Sequence, residues 1–400
     1  MTRAAGVLAA LCALTFAGAC DDVQVQAPRT AGACNFGVER AVAVGTGATF
    51  DAIALVRARD GLRAIWSDGG GLFARALADD GTPTAPAVRI GERCREGLAA
   101  DADGRRLLIA CLAPAESSTG DLGAARLLTI DPGETVPRLT ELGPAGRDSS
   151  AIALAVSRGK AWIAWHDGTP GAQRVFVTSV ARDGSRGAVV ALGDASRAGG
   201  SPALVAEASR VVVAWAETWV DARSKLRGVI RVADVARPGD VHDLEPLSAS
   251  NPALAFARDE RGLVLAMRDQ RPRRARLSVY VVRIGPTLRA TTNAVYVGRA
   301  NGAGGPAFAA CAGRLVLAVP RTYGRREVLI GLHRLEPRFV REGGELQIYE
   351  SDSELSHSAL ACVGASLLVL YAERGSPADP GPRLRTTMLT CPSSAPSAPP

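Results

Sequence analysis

The 400-residue chain is 47% hydrophobic, 22% charged and only 4% aromatic, with a formal net charge of +7. That much apolar material in so long a chain builds a large core and excludes a disordered protein. The positive charge is almost all arginine, with Lys160 and Lys225 the only lysines, and it is dispersed along the chain. Nothing resembles the massed basic run of a nucleic-acid-binding arm.

Near the start, Arg3 precedes an uncharged, mostly apolar run from Ala4 to Phe16, followed by the small residues Ala17, Gly18 and Ala19. This is the pattern of an export signal. The run is about half the roughly 20 residues that a membrane-spanning helix needs. Ala17-Gly18-Ala19-Cys20 resembles the lipobox of bacterial lipoproteins. Over those four residues the resemblance implies removal of a signal peptide at 1–19, lipidation of Cys20 and anchoring in the cell envelope, in a membrane the sequence leaves open. Cysteine parity agrees. With Cys12 lost in the signal and Cys20 acylated, Cys34, Cys94, Cys111, Cys311, Cys362 and Cys391 remain, an even set for an oxidising compartment. Residues 20–33 then read as a polar, flexible tether.

From about residue 50 a small apolar strand, a tight turn and a second strand ending in a bulky residue recur seven times. The end residues are Trp66, Cys111, Trp165, Trp215, Met267, Val319 and Tyr371, spaced 45, 54, 50, 52, 52 and 52 apart. A variable loop, a third strand, a turn and a weaker fourth strand complete each period. Four short strands at such a period predict propeller blades, and no period holds an uninterrupted helical run. The expected fold is all-β: a seven-bladed β-propeller over 34–392 with a Pro/Ser-rich tail at 393–400. The last repeat lacks its fourth strand, and GVERAVAVG at 37–45 is expected to supply it and close the ring. The chain resembles bacterial propeller proteins in general and matches no specific named repeat, so the resemblance implies architecture and no activity.

The expected disulfides follow from strand positions. Cys34 and Cys391 meet at the ring closure, Cys94 and Cys111 flank the turn of one hairpin, and Cys311 and Cys362 lie in first strands of neighbouring blades. On the rim where second and third strands connect, long polar loops carry Arg223, Lys225, Arg227 and Trp219, then Arg271, Arg273, Arg274 and Arg276, then Arg321, Tyr323, Arg325 and Arg326. Three successive blades would thus share a basic sector suited to an anionic polysaccharide or an acidic protein. Asp68, Asp167, Glu217, Asp269 and Glu373 each stand two residues past a repeat's end residue. They would form a ring of acids, either paired for chemistry or binding turn amides and arginines.

The four histidines, His166, His242, His333 and His357, fall at different repeat positions, so neither a metal nor a cofactor is expected. Ser157-Arg158-Gly159-Lys160 matches S-x-x-K as a string but falls on a hairpin turn. With no catalytic motif in the chain, the sequence leans against an enzyme. It favours a monomeric, membrane-anchored binding or scaffold module that does not bind nucleic acid, with a glycan hydrolase acting through rim carboxylates, or a purely structural protein, as alternatives.

Overall fold

The computed structural model describes residues 35–390 except 37–39, 45–49, 95–96, 114–122, 146–148, 150, 169–172, 248–251, 271–276, 301–304, 312–313, 324–326, 336–337, 340–345, 352–357 and 374–382. Two short strands come first, β1 (Asn35–Phe36) and β2 (Arg40–Val44). The first blade is β3 (Ala52–Ala58), β4 (Gly61–Asp68), β5 (Gly71–Leu77) and β6 (Val88–Gly91). The second is β7 (Leu98–Asp103), β8 (Arg106–Ala113), β9 (Gly123–Ile130) and β10 (Arg138–Ala145). The third is β11 (Ile152–Ser157), β12 (Lys160–Asp167), β13 (Arg174–Ala181) and β14 (Val190–Leu192). The fourth is β15 (Ala198–Ala206), β16 (Val211–Val220), β17 (Leu226–Asp234) and β18 (His242–Leu247). The fifth is β19 (Ala253–Asp259), β20 (Gly262–Asp269), β21 (Ser278–Ile284) and β22 (Val295–Arg299). The sixth is β23 (Ala307–Cys311), β24 (Arg314–Tyr323), β25 (Glu327–Leu335) and β26 (Leu346–Ser351). In the seventh, β27 (Ser358–Val363), β28 (Ser366–Glu373) and β29 (Arg383–Thr390) are completed by β1 and β2, which both pair with β29.

The expected seven-bladed propeller is therefore the fold, with the expected N-terminal closure. First strands touch in cyclic order, β3 to β7, β11, β15, β19, β23, β27 and back to β3. Seven apolar clusters fill the seven gaps between blades. A second strand consequently buries both faces: on β16, Val212, Ala214 and Ala216 meet the fifth blade, whereas Val211, Val213 and Trp215 meet the third. This double burial explains why the repeats read as near-continuous apolar runs rather than strict alternation. Trp66, Trp165, Trp215 and Tyr371 are all buried in these gaps, where large rings fill the space that widens outward from the axis.

Turn chemistry follows the backbone. Ser157 pairs with Lys160 across a two-residue turn in which Arg158 and Gly159 both have positive φ, 52° and 73°. That is a tight hairpin turn of the primed kind, and the S-x-x-K string has no helical geometry. Cys94 and Cys111 are bridged, and so are Cys311 and Cys362. The first bridge forms for a reason other than the expected one. The strand partner of Cys111 is Leu98, and Cys94 reaches it from the connection between the first two blades, packed among Leu72, Ile90 and Ile109. Cys34 and Cys391 lie outside the described residues, as do Cys20 and both chain ends. Among the described residues no helix is long and apolar enough to cross a membrane.

Two segments expected as loops are strands instead. ETWV at 217–220 and LRG at 226–228 continue β16 and β17, closing with Val220 opposite Leu226. PRTY at 320–323 likewise continues β24, with Tyr323 opposite Glu327. Backbone pairing persists there after the apolar pattern has stopped, because a hairpin running past its neighbours no longer has two blades to pack against.

Candidate functional site

The second-to-third connections and the blade-to-blade connections emerge on one face of the ring, the upper rim. Five second strands end two residues past the repeat's bulky end residue: β4, β8, β12, β20 and β28. β16 runs on five residues past Trp215 to Val220, and β24 four past Val319 to Tyr323. At about 3.3 Å per residue, their paired strands run roughly 10 and 7 Å past the level at which the other five end. They belong to the fourth and sixth blades, on either side of the fifth.

The hairpin of the fourth blade carries exposed Arg223, Lys225 and Arg227, with the Arg227 Nε donating to Asp221 at 2.8 Å. Val220 and Leu226, 66% and 45% exposed, face each other at its tip. By strand alternation they point toward the fifth blade, opposite to Trp219. Arg271, Arg273, Arg274 and Arg276, in the connection from β20 to β21, lie outside the described residues, as do Arg325 and Arg326. Arg321 and Tyr323 are on the extended part of β24, where only the backbone is described.

The acids at the ends of the second strands are built into the frame. Asp68, Asp167, Glu217 and Asp269 are buried. Asp68 accepts from the Gly70 amide at 2.7 Å, and Asp269 from the Gln270 amide at 2.8 Å. Glu217 accepts from the Trp215 indole N–H at 3.0 Å and from the Asp194 amide at 3.2 Å through the same oxygen, Oε1. Of Glu373 only the backbone, at the end of β28, is described. At the first blade Asp51 holds Arg93 through two bonds of 2.7 Å. The hydrogen bond to Asp51 keeps the Arg93 guanidinium above its usual pKa, against the opposing effect of burial.

Gly193 shows how tightly the rim is assembled around Glu217. A Cβ placed there would come within 1.9 Å of Glu217 Oε1, and the backbone is held at φ +79°. Only glycine lets the chain lie on the carboxylate in this way. The loop that follows is a turn in which the Ser196 amide and hydroxyl both donate to Asp194, at 2.9 and 2.8 Å. It presents Arg197, whose guanidinium carbon lies 4.1 Å from the centre of the Trp219 ring. Arg174 fastens the same loop by donating to the Gly193 carbonyl at 3.3 Å.

Arg197, Arg231 and Arg174 are absent from the residues expected at the rim, because they lie outside the second-to-third connections: Arg197 is in a blade-to-blade connection, and Arg231 and Arg174 are on third strands. The Asp-x-Ser turn signal ahead of Arg197 was legible. The histidines do not come together. His166 is buried near the start of β15, His333 is buried on β25 and His242 is half-buried on β18, while His357 lies outside the described residues. No group of three metal-ligating side chains occurs among the described residues.

No protein-family model matches the chain, and no curated protein matches it. Solved structures do. An ulvan lyase, described as a new family of polysaccharide lyase, overlaps with a TM-score of 0.54 at 9% identity, covering 86% of this chain and 95% of that one. The same kind of enzyme bound to -[GlcA(1-4)Rha3S]- overlaps with a TM-score of 0.52 at 10% identity, over 86% and 94% of the two chains. At these identities the likeness is one of fold. It nevertheless corrects the leaning against an enzyme drawn from the missing motifs, because this architecture is shared, over nearly the whole length of both chains, with enzymes that act on polysaccharides. A propeller places its working groups from separate blades, so no linear motif announces them.

Proposed function

We propose that the protein is an exported, carbohydrate-active propeller whose upper rim acts on an anionic polysaccharide. The observation that carries this reading is the pair of long hairpins on either side of the fifth blade. The fourth-blade hairpin carries exposed Arg223, Lys225 and Arg227, and the sequence puts four further arginines, Arg271, Arg273, Arg274 and Arg276, in the second-to-third connection of the next blade. A polyanion suits such a rim by charge, and the fold shared with a lyase bound to a glucuronate-bearing chain supports the choice of ligand. The catalytic groups are to be sought elsewhere on the rim than at Glu217, which is held by the Trp215 indole and the Asp194 amide.

The N-terminal segment belongs to the same proposal: a signal at 1–19, a lipid on Cys20 and a tether over 20–33 would hold a monomeric propeller at the envelope surface, where such polymers are met. Incubation with a panel of uronate-bearing and sulfated polysaccharides tests the reading. Unsaturated uronate absorbance reports elimination, and new reducing ends without it report hydrolysis. Release of either product from an anionic polymer, and none from its neutral counterpart, is the expected result. No product from any member of the panel contradicts it.

A further inference from the structure

Trp215, Glu217 and Trp219 succeed one another on the face of β16 that looks toward the third blade. Arg231 sits directly opposite Trp215 on β17. Its Nε is 3.3 Å from Glu217 Oε2 and 3.1 Å from Asp243 Oδ1, and neither contact is aligned as a hydrogen bond. Arg197 approaches from the neighbouring loop, with Nη1 3.6 Å from Glu217 Oε2 and Nε 3.6 Å from Asp194 Oδ2. Among the described residues, neither guanidinium donates a side-chain hydrogen bond to the protein. Each offers five N–H donors in a planar fork.

Burial decides how this cluster is balanced. Glu217 is 1% exposed, Arg231 17% and Arg197 26%. Asp243 and Asp194 are 67% and 46% exposed, so water screens both. One buried carboxylate therefore answers two partly buried guanidiniums, and its Oε2, without a hydrogen bond of its own, faces both. Half-buried Trp219 lies against Arg197 and offers an apolar surface of the kind on which sugar rings rest.

We propose that Arg197 and Arg231, beside Trp219, form a subsite for an oxyanion substituent on a sugar ring, either a uronate carboxylate or a sulfate ester. Guanidinium forks match the geometry of both. Glu217 is a positioning residue: it pins the backbone at 193–194 and aligns the two arginines. The subsite deepens the polysaccharide reading and rests on it.

The test is binding of ulvan, its desulfated form and its carboxyl-reduced form to wild-type protein and to Arg197→Gln, Arg197→Lys and an Arg223→Gln/Lys225→Gln/Arg227→Gln variant, at two salt concentrations. Wild type is expected to discriminate native ulvan from one derivative, and which one identifies the oxyanion. Arg197→Gln should weaken binding of the native polymer about tenfold and abolish that discrimination. Arg197→Lys should restore charge but little discrimination, because an ammonium lacks the planar fork. The triple variant should weaken all three polymers alike at low salt. Unchanged binding and discrimination in Arg197→Gln, with wild type still retained, overturns the subsite and leaves the polysaccharide reading standing. A wild type that binds none of the three polymers overturns the subsite, and the polysaccharide reading falls with it only when the wider panel also yields no product.

Discussion

Buried acids such as Asp51, Asp68, Glu217 and Asp269 answer to a nearby backbone amide or guanidinium, and single substitutions should report such contacts directly. Gly193→Ala drives a methyl group into Glu217 at a backbone angle that side chains avoid. A loss of about 2–4 kcal/mol in urea-determined stability is expected, and a loss below 1 kcal/mol would mean that the loop does not lie on Glu217. Asp101, on β7, accepts from the Val156 amide of the next blade at 2.9 Å, and burial raises its pKa despite that bond. A raised carboxylate favours the folded state most while protonated. Its contribution is therefore full below the ordinary aspartate value and falls as pH rises through the folded value. Asp101→Asn removes the buried charge but leaves one oxygen where two accept, from the Ala102 and Val156 amides. It should lose that pH dependence, so that its deficit relative to wild type is smaller at about pH 7 than at about pH 4 in denaturation curves. The roles of such residues were only partly legible. Acids two places past five of the seven repeat ends are visible in the sequence, but a partner such as the Asp194 amide of Glu217 comes from a loop that no repeat aligns.

Elements carry the next level. The residue that ends each apolar run marks the blade because it fills a widening gap between blades, whereas the hairpin extensions have no such mark, since ETWV and PRTY show no apolar alternation to announce pairing. The length of a hairpin is set by how far backbone pairing runs, and polar side chains on an exposed ribbon do not record it. Neutralising Arg223, Lys225 and Arg227 together should leave thermal unfolding nearly unchanged, since Arg223 and Lys225 are exposed and Arg227 meets only Asp221. It should lower the salt needed to elute the protein from an anionic matrix. Unaltered elution would remove the fourth-blade hairpin from the polyanion-binding rim. The bridges are elements too. Cys311–Cys362 joins the sixth and seventh blades, and Cys94–Cys111 ties the connection after the first blade to the second. We expect non-reducing peptide mapping to join Cys34 to Cys391 beside β1 and β29, closing the whole ring with a stabilisation on the order of 5 kcal/mol in the chain-entropy model. A different partner for Cys34 would contradict that pairing.

At the scale of the molecule, seven gaps each hold an apolar cluster, and one closure, made by β1 and β2 on β29, completes the ring. The ring was legible because its period is written seven times over and its missing strand is found at the other end of the chain. The function was not, because a propeller assembles its working surface from connections that vary while the frame repeats. Shortening the long fourth-blade hairpin is the most direct test of the rim. Replacing residues 218–228 by a two-residue Asn-Gly turn between the paired Glu217 and Val229 ends β16 two residues past Trp215, as in five other blades, and keeps the register of the clusters between blades. Wild-type protein is expected to release oligosaccharides from an anionic polysaccharide, and the shortened protein, unfolding at nearly the same temperature, to release at least tenfold less. Equal release by the two proteins, or none by wild type, would contradict the claim that this rim acts on a polyanionic glycan.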